Sequence, residues 1–274
     1  MKDIIVHDCQ KAYYPSPPYH PPQKYPEYQF ADVNPANFVY EEVRNSFREL
    51  GLDEKNFNKA SWNPLGEIIS EGDFVLVKPS FVAHRHPSLG EAGMNAVITH
   101  PSITRALIDY VFIALRGKGK IVIGDAPIQG TDFEALKLFS IDSITSFYEE
   151  KDVGIEVVDF RKELGITDRR GTVVKRVPLG GDPLGYTIVD LGQNSELREM
   201  CYAYRLFRVT QYDKKIMERH HNDCQNAYLI PSSALRSDVI MNLPKLKTHA
   251  KAGMTCALKN MVGLSGSKDW LPHH

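Results

Sequence analysis

The densest collection of residues able to do chemistry lies near the end of the chain. Residues 236–268 hold Arg236, Lys245, Lys247, Lys251, Lys259 and Lys268 against a single acid, Asp238. The whole 274-residue chain has a net charge of −1, so this local excess of positive charge is a departure from its surroundings. Lysines that follow a buried strand and lead into a helix suit a phosphate or carboxylate, because free N–H groups and partial positive charge gather at a helix N-terminus. The spacing predicts that helix over about Met254 to Val262, with Gly263 as its stop. Thr255 and Lys259, four apart, would share one face of it. Gly253 would let backbone approach a ligand closely. The competing reading is a solvated lysine surface.

Two other loops carry candidates: Lys78 and Ser80 follow one apolar run, and Asp125 closes another. With Asn242, Lys245, Lys247, Thr255, Lys259 and Asn260 they make up the expected substrate-binding set, and His249 and Asp125 are the expected proton-transfer pair. Lysines on both sides of His249 favour the neutral imidazole that a general base needs. A plainer role for His249 is a hydrogen bond to the bound anion or to nearby backbone. His84 and His86, or His220 and His221, with Asp125 or Asp223, could in principle supply a divalent metal site. Scattered histidines more often cap or face water, so no metal is assigned, and His220 to Cys224 reads as a surface loop. Neither a Walker A loop, a G-x-S-x-G elbow, a G-x-G-x-x-G fingerprint nor an H-E-x-x-H pair occurs. Gly117-Lys118-Gly119-Lys120 precedes a strand, whereas a phosphate loop follows one.

The elements that must position these residues read as an α/β fold. Continuous apolar runs at Phe74 to Val77, Lys120 to Gly124, Ile155 to Asp159 and Ser237 to Leu243 are typical of strands buried on both faces. Between them, Ser102 to Arg116 (with Pro101 as first helical residue) and a segment capped by Asp132 and running to about Tyr148 read as helices. Another spans 38–50. Helices alternating with such strands imply right-handed crossovers and a mainly parallel sheet flanked by helices on both faces. Around 171–209 the pattern turns polar and predicts a small antiparallel or irregular insertion, with the parallel pattern resuming near Tyr228. In parallel sheets ligands bind at the carboxyl ends of the strands, which is where all three candidate loops fall.

Composition bounds the rest. Hydrophobic residues at 42% and charged residues at 24% describe a globular chain, read here as a single α/β domain over 1–274. Near-neutral charge gives no reason to expect nucleic acid, and no run reaches the roughly 20 apolar residues of a membrane helix. The first residues lack a signal-peptide core, so a cytoplasmic location is expected. Cys9, Cys201, Cys224 and Cys256 stand alone, so no iron–sulfur motif is present and the cofactor stays unassigned. Residues 1–37 form a Pro/Tyr-rich arm. Its core, 13–28, would either pack its tyrosines on its own domain or dock a protein partner.

The run VIMNLPKLKTHAKAGMTCALKNMVGLSGSKDWLPHH at 239–274 closely resembles the signature of the family known as domain of unknown function 362. So do FVLVKPSFV at 74–82, THPSITRALIDYVF at 99–112 and IVIGDAP at 121–127. The resemblance implies an α/β fold, an intracellular setting and a chain that continues beyond 274; it implies no settled activity. Some members carry a ferredoxin-like cluster domain, whose clustered cysteines this sequence lacks. Three readings therefore stay open. One is an enzyme or binder acting on an anionic small molecule by acid–base chemistry, another is a non-catalytic assembly protein, and the last is a redox protein completed by a C-terminal cluster domain.

Overall fold

A computed structural model describes residues 4–9, 13–169, 172–207, 213–249 and 252–272. At its centre four parallel strands lie in the order β3-β2-β1-β9. They are β1 (Phe74–Pro79), β2 (Lys120–Asp125), β3 (Ile155–Asp159) and β9 (Val239–Leu243). Period-2 alternation sorts their side chains into two cores. Val75, Val77, Ile121 and Ile123 face one side, while Leu76 and Val122 face the other. Helix α3 (Pro101–Leu115) joins β1 to β2 and packs in the first core with α1 (Phe38–Glu49). Two short helices, α4 (Phe133–Ser140) and α5 (Asp142–Glu149), join β2 to β3. The second core is smaller. It holds Phe160, Ala234 from α7 (Ser232–Arg236) and Leu264.

The fold follows the expected α/β class, with local differences. Asp132 caps α4 by accepting the Ala135 N–H at 3.1 Å, but the helix stops at Ser140 and restarts at Asp142. The antiparallel region is larger than 171–209. It opens with the hairpin of β4 (Glu163–Thr167) and β5 (Val173–Pro178), then pairs β6 (Tyr186–Asp190) with β8 (Gln225–Pro231). Tyr228 belongs to that antiparallel pair, opposite Val189, so the parallel pattern resumes only at β9. Both strands and parallel-sheet runs are apolar, and only partner geometry separates them. His221 was expected in a surface loop after α6 (Lys214–His220), but lies fully buried in the short β7 (His221–Asn222), its Nε2 2.7 Å from the Trp270 carbonyl. Among the described residues no helix is long and apolar enough to cross a membrane.

The N-terminal arm packs inward. Tyr19, Tyr25 and Tyr28 are buried in the first core, whereas Tyr13 and Tyr14 stay exposed. Two buried arginines tie the arm down. Arg44 of α1 pairs with Glu27 at 2.6 Å, and Arg105 of α3 donates to the Pro18 carbonyl and the Tyr28 hydroxyl while pairing with Asp109 at 3.0 Å. A buried charge left without such a partner would cost several kcal/mol, about 3–5 when one member of a pair is removed.

His100 caps α3, its Nδ1 accepting the Ser102 N–H at 3.2 Å, and its ring stacks on Tyr14 with centroids 3.8 Å apart. Burial first, then the charge of Lys245, pushes its pKa down to about 4. In the unfolded chain a histidine titrates near 6.5, so the folded state takes up the proton less readily. Stability present above pH 6.5 is therefore lost as the pH falls toward 4, by about 1.4 kcal/mol per pH unit. His100→Gln keeps an acceptor without the titration. Urea midpoints at pH 7 and pH 5 should drop less in the variant than in the wild type; equal drops would exclude His100 as the source.

Candidate functional site

Three strands of the parallel sheet end on the same side, and their loops surround a cavity of about 350 Å³. Behind its wall lies a buried ion pair. Lys78, fully buried in β1, puts its ammonium 2.8 Å from Asp125 Oδ1 at the end of β2. Its aligned donors go instead to the Pro79 carbonyl at 2.9 Å and Asn260 Oδ1 at 3.3 Å, so charge alone holds that carboxylate oxygen. The other oxygen accepts the Phe81 N–H at 2.8 Å.

Asn260 then closes a circuit. Its amide nitrogen donates to the Lys78 carbonyl at 3.0 Å and to Asn242 Oδ1 at 2.7 Å, and Asn242 donates onward to the Ala257 carbonyl. Gly263 lies directly over the pair. A Cβ there would overlap Asp125 Oδ1 and sit 2.6 Å from the Lys78 ammonium, and the Gly263 carbonyl accepts the Ala126 N–H at 2.8 Å. Glycine is required by this close approach.

Lys245, Lys247 and Lys259 line the cavity, together with Asp125, Ser80 and His249. Thr255 and Asn260 complete the expected residues found there, while Lys78 and Asn242 stand one layer behind. Several of them serve the scaffold. The Thr255 hydroxyl donates to the carbonyls of Lys245 and Lys247, and the Ser80 N–H donates to the Thr99 hydroxyl. His249 Nδ1 accepts the Ala252 N–H at 3.0 Å, so that nitrogen supports the loop and is not available as a base there.

The expected helix over about 254–262 forms only from Ala257 onward. Lys247 to His249 instead make β10 (Lys247–His249), paired antiparallel with β11 (Gly253–Thr255), which opens at Gly253 with a φ of +73° opposite His249. The four-residue α8 (Ala257–Asn260) follows without a side-chain cap and continues as a 3-10 helix over Met261–Leu264, past the expected stop at Gly263. The helical apolar spacing misled because Met254 and Leu258 are exposed, at 63% and 91%. No core holds that stripe, and the β-branched Thr255 with Gly253 favours the hairpin. Thr255 and Lys259 thus sit on different elements, and the positive character comes from side chains alone. Lys251, part of the same basic cluster, lies outside the described residues.

Lys268 was counted in the basic cluster but not assigned to the site, yet it lines the cavity and is only 6% exposed. No periodicity marks it; it is brought in by the 3-10 turn Lys268–Trp270, far in sequence from the strand ends it meets. Asp125 is the one carboxylate among the described lining residues, and Lys78 already matches its charge. The crowding is visible in the lysines. Lys247 is lowered to about 8, by burial first and then by Lys245 and Lys78, with Asp125 opposing. Lys268 is lowered to about 8 in the same way, burial leading.

The histidines considered for a metal do not converge. His84 Nδ1 accepts the Asp132 N–H, His86 Nδ1 accepts the N–H groups of Ser88 and Leu89, and His220 stacks on Trp270. Among the described residues no group of three or more His, Cys, Asp or Glu could hold a metal ion.

Asp125→Asn removes the charge that compensates Lys78, and should cost about 3–5 kcal/mol of unfolding free energy. Adding Lys78→Met to it should restore much of that loss, since no charge then remains buried. Additive losses in a double-mutant cycle would show that the two side chains do not depend on each other.

No curated protein and no solved structure matches the chain. A family model does, in two overlapping segments, residues 75–190 and 182–274. These contain every strand of the parallel sheet, the Lys78–Asp125 pair and the lysine-lined cavity, well over half of the chain. The protein belongs to the family described as domain of unknown function (DUF362).

Proposed function

We propose that this protein binds an anionic small molecule, phosphorylated or carboxylated, in the cavity at the carboxyl ends of the parallel strands. One observation carries the reading. Lys245, Lys247, Lys259 and Lys268 line one cavity, and none has a carboxylate oxygen within 4.0 Å among the described residues. Like charges gathered in a partly dry site repel, and a bound anion removes that cost while forming charge-assisted hydrogen bonds. A cavity of about 350 Å³ is within the usual range for small-molecule sites. Lys78 lies outside the proposed contacts, since its charge is matched by Asp125.

Lys245 and Lys247 would grip the anion, with Lys259 at the side. The Nδ1 atom of His249 is occupied by backbone, so any proton transfer by that ring would pass through Nε2. An enzymatic role would place the reacting part of the ligand near Asp125 and His249. The free thiols Cys9, Cys224 and Cys256 fit a reducing compartment such as the cytoplasm.

Calorimetric titration with inorganic phosphate tests this directly. Each charged hydrogen bond is worth about 1.5–3 kcal/mol, so Lys245→Ala and Lys247→Ala should each weaken binding by about tenfold or more. Affinity should also fall as the pH rises through about 8, where Lys247 and Lys268 lose their protons. Binding that is indifferent to both substitutions would sink the proposal.

A further inference from the structure

Lys268 is the most deeply buried of the lysines that line the cavity, and little holds its ammonium group. Its one hydrogen bond, to the Val262 carbonyl, is long at 3.4 Å, whereas Lys247 donates through a short bond to the Val97 carbonyl. The charged groups that face it are Asp125, Asp159, Lys78 and Arg161. Both carboxylates are already matched, Asp125 by Lys78 at 2.8 Å and Asp159 by Arg161 at 2.6 Å. What remains is a buried amine beside two ion pairs whose charges cancel, on the wall of a cavity that Val82, Ile128, Val262 and Leu271 also line. Desolvation by burial favours the neutral amine, which is the nucleophilic form.

We propose that Lys268 is a nucleophile that forms an imine with a small anionic carbonyl compound, such as a 2-oxo acid. The inference rests on the anion-binding reading above, because the cavity lysines must hold the carboxylate while the carbonyl carbon meets the Lys268 nitrogen. The nitrogen lone pair bonds to the carbonyl carbon as the C–O π pair moves onto oxygen. Proton transfer from nitrogen to oxygen gives the carbinolamine. A proton from solvent then lets the oxygen leave as water while the nitrogen lone pair forms the C=N bond, and the remaining N–H proton returns to solvent to give the imine. One water is released for each imine formed, and no oxidant or reductant takes part. The low exposure of Lys268 and the apolar wall limit the water able to reverse the step.

The intact protein, incubated with pyruvate and cyanoborohydride, reports on this step, because reduction of the C=N bond leaves a stable secondary amine on the reacting lysine. Peptide mapping by mass spectrometry should place the adduct on Lys268 in preference to the exposed Lys118, 71% accessible at its side chain. Labelling should rise with pH through about 8, be suppressed by inorganic phosphate and disappear in Lys268→Met. Acetone, a neutral carbonyl of similar size, should label Lys268 at least about tenfold more slowly, the difference one charged contact makes. Adducts confined to exposed lysines would overturn the inference, and so would equal labelling by acetone and pyruvate. The wild-type map stands whether or not Lys268→Met folds. Phosphate binding by a wild type that leaves Lys268 unlabelled would refute imine formation alone, whereas failure to bind phosphate would refute the anion site beneath it.

Discussion

The ion pair between Lys78 and Asp125 is the constraint on which the rest of the site is built. It joins the ends of two adjacent parallel strands in a place where both partners are almost wholly removed from water. A charge in such a position is tolerated only when it is matched and hydrogen-bonded. The match reaches outward through Asn260, the last residue of α8, to Asn242 of β9. Gly263 can cross above the pair because it has no side chain, and its carbonyl ties that crossing segment to Ala126. Two strand ends and the C-terminal loops are thereby held at fixed distances from one another.

That arrangement explains why chemically identical side chains have different fates a few ångströms apart. The charge of Lys78 is cancelled by Asp125, so it acts as structure. Lys245, Lys247, Lys259 and Lys268 share a space whose only carboxylate, among the described residues, is already matched. The scaffold thus gathers positive charge at one end of the sheet, and burial first, then that charge, lowers the proton affinity of Lys247 and Lys268. The proposed anion binding rests on that gathering of charge before any detail of shape is considered.

The arm at the other end of the chain shows charge used differently. Arg44 and Arg105 are buried deeply, yet each is met by a carboxylate and by aromatic rings, Tyr25 and Trp62 around Arg44 and Phe147 around Arg105. Cation–π contact and full pairing make these arginines part of the core. Its prolines limit the arm's conformations, and its inward tyrosines supply the area that packs it on α1 and α3.

Much of the scaffold was legible in sequence, and the reason is periodicity. Continuous apolar runs at β1, β2, β3 and β9 mark strands covered on both faces, and Pro101 and Asp132 mark helix starts, because these signals act within a few residues. The lysine cluster was visible as composition. Helix and hairpin at 247–262 were not distinguishable, since apolar spacing predicts a helix only if some core receives the stripe, and Met254 and Leu258 face outward. Strand partners in the antiparallel region were equally hidden, because Val189 meets Tyr228 across a long loop and no local rule encodes that pairing.

The sequence by itself determined the class of fold and the sign of the charge gathered at one edge of the sheet. Tertiary structure alone decided which lysine is spent on Asp125, which are left to face the cavity, and that Lys268 joins them. Those outcomes depend on burial and on distances between residues far apart in the chain. The Lys78–Asn260 contact spans 182 positions, and the energy of a charge is set by what surrounds it in space.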